Sequence, residues 1–251
     1  GESEGNLVRT LYEQGNAHPN EPGVMSVHTS HRRLTPKGVE QAKSAGVWLQ
    51  KHWLGPLEEE DHAPRMYVSP YVRAFETAAN LGFGDQWYMD NRIVERNWGD
   101  LDMLTYDERM RKFNDVIDER DDDAFYWRPP GGETLQDVFQ RTRDMTTTLH
   151  RECKDKHVLI VCHGETMWVW RALLEYWTSH DLTKAQRERT DKTRNINCRI
   201  IQYSRFSDAG EDTGKLSRVR FVNPSFPDDP RWNQDWTPII RPTFTHSQLF
   251  E

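Results

Sequence analysis

Cysteine is scarce in this chain: Cys153, Cys162 and Cys198 are the only three among 251 residues, and they lie far apart. No C-x-x-C pair occurs, which argues against a zinc knuckle or a disulfide framework. A reducing, cytoplasmic compartment is the natural expectation for such thiols. Long apolar runs are missing too. The longest, residues 158–162, falls far short of the roughly 20 residues that a membrane-spanning helix needs. No secretory signal pattern opens the chain. A surplus of positive charge is also lacking: 33 Lys and Arg face 40 Asp and Glu, a formal charge of −7. That balance argues against non-specific binding to nucleic acid or to an anionic membrane, and leaves room for a local cationic pocket. No internal repeat, low-complexity tract or metal-ligand spacing appears, so neither a metal nor another cofactor is expected.

What is present suits one large α/β domain. A chain of this length buries a core without disulfides, and ten tryptophans supply large apolar surfaces despite a hydrophobic fraction of 35%. Residues 7–33 hold Gly15, Asn16, Pro19, Asn20, Pro22 and Gly23 and read as a long loop. Thr35 and Pro36 then open a helix as N-cap and first-turn residue, with Val39, Ala42, Gly46 and Leu49 at helical spacing. An acidic solvated loop is expected at residues 58–61, a strand at 66–68, a helix from Ser69-Pro70 to Leu81, and a strand at 92–94. Residues 106–119 read as helix, broken at residues 121–123. A firm turn follows at residues 129–132. Thr134 with Asp137 resembles a capping box and opens a helix to about Glu152. Residues 157–162 form a strand that is apolar on both faces and therefore of the buried type. A helix from Glu165 to about Trp177 and strands at 198–203 and 219–222 complete the pattern. Strands alternating with helices predict an αβα sandwich of three layers around a largely parallel sheet. The expected division is a domain over residues 1–223 and a strap over 224–251, carrying Trp232 and Trp236, packed on it.

Three positions carry chemistry by their place in that pattern. His163 ends a strand and is followed by Gly164 and a helix. Ligands bind at the carboxyl ends of such strands, and a helix N-terminus there favours an anion. Gly164 lets a ligand approach the backbone closely. A histidine satisfied by a backbone carbonyl is the alternative. Arg73 repeats the arrangement after the strand at 66–68, with Ser69 as helix cap and a guanidinium able to grip phosphate oxygens at two points; a surface arginine is the commoner case. Glu95 follows the short strand expected at 92–94. Near a phosphate it would serve as a proton donor if its surroundings raise its pKa, and otherwise it is a surface ion-pair partner. Gly1 to Gly5 also fit G-x-S-x-G around Ser3, the serine-hydrolase elbow. That elbow needs a preceding strand and an oxyanion-hole loop, and two residues supply neither.

Taken in order, the blocks resemble those of one family. Gly1-Glu2-Ser3-Glu4-Gly5-Asn6 is similar to the signature Arg-His-Gly-Glu-Ser-x-x-Asn of the histidine phosphatases (phosphoglycerate-mutase-like proteins), without its first two residues. Leu34 to Gly38 with Gln41-Ala42, Ser69 to Ala74 with Thr77-Ala78, Glu95 to Gly99, Gly131 to Thr134 with Arg141, His163-Gly164, and Asn197 to Ile200 resemble the blocks that follow. They cover most of residues 1–203. The resemblance implies a metal-independent phosphatase acting on a small phosphorylated substrate. The family's first histidine attacks phosphorus and becomes phosphohistidine, and water then releases phosphate. Glu95 and His163 would be catalytic; Arg73, Asn6, Ser3 and Gly164 would bind the phosphoryl group.

The departure is at the start. The family's Arg-His pair belongs immediately before Gly1, preceded by a first core strand. The expectation is that the natural chain supplies them upstream. A chain truly without them would be a non-catalytic phosphate or partner binder, its sheet left with unpaired backbone. A phosphoglycerate mutase is the third reading. The mutases carry Asn where this chain has Glu165 and His-Tyr where it has Asn97-Trp98, and an acidic Glu165 disfavours a bisphosphorylated ligand. His31, Arg32 and Arg33 either meet an acidic part of the substrate or are solvated. Tyr106 and residues 125–128 either cap the pocket or join the core. Substrate identity and oligomeric state are not written in the sequence.

Overall fold

In the computed structural model, which describes residues 1–54, 64–118, 123–188, 190 and 194–249, the chain opens on helix α1 (Glu4–Glu13). Ser3 and Asn6 start it as a reciprocal cap. The Asn6 N–H donates to Ser3 Oγ at 3.3 Å and the Ser3 N–H to Asn6 Oδ1 at 3.1 Å, which satisfies two of the helix's orphan donors. Helix α2 (Glu21–Met25) and a 3₁₀ turn, Thr29–His31, follow. The expected long loop is therefore largely helical. Its turn formers are concentrated in the connection between α1 and α2, where Gly15 takes φ +73°.

Thr35 caps helix α3 (Pro36–Leu49) through its hydroxyl, which accepts the Gly38 N–H at 3.1 Å. Strand β1 (Arg65–Val68) runs into helix α4 (Val72–Ala79), and strand β2 (Tyr88–Met89) comes next. Gly46 of α3 lets that helix meet the end of α4, because a Cβ there would stand 1.9 Å from the Leu81 carbonyl oxygen. Tyr71, not Ser69, is the N-cap of α4. The strand expected at 92–94 is instead a 3₁₀ turn, Asn91–Ile93, fixed by the Asp90 carboxylate accepting the Arg92 N–H at 2.8 Å. A local side-chain acceptor here outcompetes an extended backbone.

Helix α5 (Tyr106–Asp118) is interrupted at Phe113, and helix α6 (Leu135–Glu152) starts from the Thr134–Asp137 capping box. Strand β3 (Val158–Val161), helices α7 (Gly164–Leu174) and α8 (Ser179–Glu188), and strands β4 (Ile200–Ser204), β5 (Arg218–Val222) and β6 (Gln234–Pro238) complete the chain. The segment expected as a C-terminal strap contributes β6, paired antiparallel with β5. The acidic run at 58–61 and residues 121 and 122 lie outside the described residues.

Strands β2, β1 and β3 form a parallel sheet in that order, and β4, β5 and β6 an antiparallel one. Alternation sorts the parallel sheet into layers. Tyr67, Val158 and Ile160 pack with Met145 and Leu149 of α6, while Val68, Leu159 and Val161 face α3 and α4. Helices thus cover both faces of an α/β fold. The β3 side chains are half-buried rather than buried, because β3 and β4 both line one large cavity of about 1860 Å³. That cavity reaches the carboxyl end of β3, where the candidate site begins.

Candidate active site

His163 is the N-cap of α7 and only 5% exposed. Its Nε2 lies 2.7 Å from the hydroxyl of Ser69, at the end of neighbouring β1. The parallel pairing of β1 with β3 aligns Val68 with Val161, so the residues just beyond the two strands meet. Burial, then the charges of Arg73 and Arg141, hold the His163 pKa well below its ordinary range. The free site therefore carries a neutral imidazole.

Arg73 sits in the first turn of α4. Its Nη1 donates to the Thr29 carbonyl at 2.5 Å, and its guanidinium lies 4.9 Å from the Tyr71 ring centre. Thr29 is placed in turn by Asp102, whose carboxylate accepts the Thr29 N–H at 3.0 Å. Asp102 is also 3.7 Å from buried Arg32. Arg32 donates to the carbonyls of Val27, Met25 and Asp102, and Arg33 pairs with Glu76 at 2.6 Å. Both arginines brace the segment above Arg73. Gly1, at the other side, donates to Thr77 Oγ1 at 3.0 Å.

Glu95 enters the same cavity from the loop after the 3₁₀ turn. Arg141 of α6 fixes that loop by donating to the carbonyls of Arg92, Val94 and Glu95, and Thr166 of α7 donates to the Val94 carbonyl at 2.7 Å. The Glu95 carboxyl accepts the Arg96 N–H at 3.1 Å. Burial, and next the negative charge of Glu165, raise its pKa; Arg73 and Arg141 act against them. Gly164 lies alongside: a Cβ on it would be 3.9 Å from Glu95 Oε2.

His163, Arg73, Glu95, Gly164, Ser3 and Asn6 all line the one cavity. Ser3 and Asn6 do so while serving as the α1 cap, with the Asn6 oxygen accepting from both the amide and the hydroxyl of Ser3. Tyr106, stacked on Tyr12 at 4.6 Å, and buried Trp127 line it as well, whereas Tyr126 is exposed. Three contributors escaped the sequence reading. Ser69 was expected as a helix cap and is the partner of His163. Asp102 had no local signal. Arg96 is fully buried between Trp98 and Trp127, at 5.1 and 5.3 Å from their ring centres; the flanking aromatic residues were its only clue.

A neutral histidine, a guanidinium and a carboxyl of raised pKa thus converge at a helix N-terminus, a constellation suited to a phosphoryl group. The model of the histidine phosphatase superfamily, branch 1, matches residues 14–207.

The chain belongs to the histidine phosphatase superfamily.

Within this superfamily the chain is 30% identical over 145 residues to human 6-phosphofructo-2-kinase/fructose-2,6-bisphosphatase 4, covering 57% of this chain and 28% of that one. It thus spans just over a quarter of the length of such relatives. It is 31% identical over 160 residues to the 2,3-bisphosphoglycerate-dependent phosphoglycerate mutase of Methylobacterium radiotolerans, covering 61% of this chain and 70% of that one. Among solved structures, the alpha-ribazole phosphatase of Shigella flexneri matches with a TM-score of 0.56 at 19% identity, over 72% of this chain and 79% of that one, a likeness of fold. A mycobacterial glucosyl-3-phosphoglycerate phosphatase with inorganic phosphate matches with a TM-score of 0.50 at 25% identity, over 62% and 76%. Members of the superfamily are phosphatases or mutases that act on small phosphorylated substrates.

Proposed function

We propose that this histidine phosphatase is a metal-independent phosphomonoesterase working through phosphohistidine. The observation that carries the reading is that Arg73, His163, Glu95 and Gly1 line one cavity. A histidine joined to Gly1 would enter at the wall of the cavity that Arg73, His163 and Glu95 line. Its ring nitrogen attacks phosphorus while the bond to the alcohol oxygen breaks, and protonated Glu95 gives that oxygen its proton. The resulting Glu95 carboxylate then takes a proton from water as the water oxygen attacks phosphohistidine. Phosphate leaves, histidine is regenerated and Glu95 is again protonated. Arg73 and Asn6, with the α7 N-terminus at Gly164 and with His163 once protonated, stabilise the charge on the transferring group. Ser3 holds Asn6 in place. Glu165 beside Glu95 supports hydrolysis over transfer between bisphosphorylated species, because its charge opposes a second phosphate.

The test is rapid quenching of the protein, carrying Arg-His ahead of Gly1, with a labelled phosphomonoester in excess chelator. Acid-labile phosphate on histidine, with release of free phosphate, is the expected result. Absence of both, with phosphate still bound, would leave a non-catalytic binder. Isomerisation of phosphoglycerate dependent on a bisphosphorylated primer would make it a mutase.

A further inference from the structure

One buried residue, Arg96, holds two carboxyl groups that line the cavity. The Arg96 amide donates to Glu95 Oε1 at 3.1 Å, and the Arg96 guanidinium reaches Glu165 Oε2 at 3.7 Å. Arg96 itself cannot move away. It is fully buried, it donates to the carbonyls of Glu133 and Trp127 at 2.7 and 2.9 Å, and it lies against the Trp98 and Trp127 rings. Glu165 is fixed by its place in the first turn of α7, and both carboxyl groups line the same cavity. Gly164, directly before Glu165, is the residue whose Cβ would approach Glu95 Oε2.

We propose that Glu165 is a positioning residue that acts through Glu95, holding it in the protonated form a proton donor needs. Two carboxylates in one poorly hydrated space cannot both ionise cheaply, and the proton stays on the one with less compensation. Glu165 has the Arg96 guanidinium and the α7 N-terminus to support its charge. Glu95 faces Glu165 from α7, Arg73 from α4 and Arg141 from α6, with Tyr71 and Cys162 as neutral neighbours. Burial raises Glu95 most; the two arginines favour its ionisation, and the charge of Glu165 works with burial against them. Cys162 is itself neutral, its thiol pushed up to about 12 by burial and by Glu95.

The catalytic consequence rests on the phosphomonoesterase reading, whereas the protonation does not, and the experiment separates them. The chain is labelled with ¹³C at the glutamate side-chain carboxyl, and the Glu95 signal is identified by its loss in Glu95→Gln. Glu165→Gln keeps the shape and removes the charge. It should lower the Glu95 titration midpoint by about one pH unit, a tenfold loss of proton affinity. Glu165→Ser should do the same, and guards against a misfolded first variant. An unchanged midpoint in both overturns the inference. In protein competent for turnover, the high-pH limb for glycerol phosphate should move down with the midpoint. The limb for p-nitrophenyl phosphate, whose leaving group needs little protonation, should not. Parallel limbs for the two substrates overturn the action through Glu95. A shifted midpoint without turnover of either substrate upholds the carboxyl pair and overturns the hydrolase reading alone.

Discussion

His163 Nε2 and Ser69 Oγ are 2.7 Å apart at the ends of two hydrogen-bonded parallel strands, and both residues are buried. The contact fixes the imidazole ring before any ligand arrives, so the cost of orienting it is met by folding. Ser69→Ala leaves a buried ring nitrogen without its partner. It should lower stability by about 1–2 kcal/mol and broaden or shift the His163 ring signals in NMR spectra. Unchanged denaturation midpoints and ring signals would show that the serine does not hold the ring.

Phosphate binding should be linked to proton uptake. Free His163 is held below its ordinary pKa by burial and by neighbouring positive charges. An anion beside it offsets those charges and raises the value. Between the free and bound values the complex holds a proton that the free protein lacks, so affinity rises as pH falls through that window. Calorimetry with inorganic phosphate in buffers of different ionisation heat measures the uptake. The uptake should fall by up to one proton in His163→Ala; an unchanged uptake in that variant would contradict the linkage.

Glu95 carries the opposite signature in stability. Its folded-state pKa is raised above 4.5, mainly by burial. The stability it contributes is fully present below the unfolded pKa and is lost as pH rises toward the folded one. Glu95→Gln should remove that loss and raise stability at neutral pH by about 1 kcal/mol, as is common where a functional group is held in an unfavourable state. Denaturation at pH 4 and pH 7 checks this: the gain must appear at the higher pH only.

The parts of this fold that were legible in the sequence are those set by local chemistry. Thr35 with Pro36, and Thr134 with Asp137, started helices where their caps said they would. The strand ending at His163 was marked by its apolar run. Misreadings arose where one residue had two uses. The Ser3–Asn6 pair fits a ligand-binding signature and is also the cap of α1, and the turn formers from Gly15 to Asn20 mask the helices on either side of them. Ser69 resembled an N-cap because it precedes Pro70, but its hydroxyl points to a residue 94 positions away. Arg96 and Asp102 were invisible as site supports because a charged residue in sequence gives no sign of burial; only tertiary contacts bury them.

The Arg32–Asp102 pair offers a sharper test of how the cavity is held open. Both side chains are 7% exposed, and Asp102 also accepts the Thr29 N–H whose carbonyl meets Arg73. Asp102→Ala strands a buried guanidinium, so it should cost about 3–5 kcal/mol. Arg32→Met with Asp102→Leu removes both charges and should recover part of that loss, since the carbonyls of Val27, Met25 and Asp102 lose their donor. The Thr29 amide remains without its acceptor in either variant, so the segment over Arg73 should still shift. Phosphate affinity should therefore stay weakened by roughly tenfold in the double variant while its stability partly recovers. Recovery of both together would mean that the pair supports the fold alone and leaves Arg73 untouched.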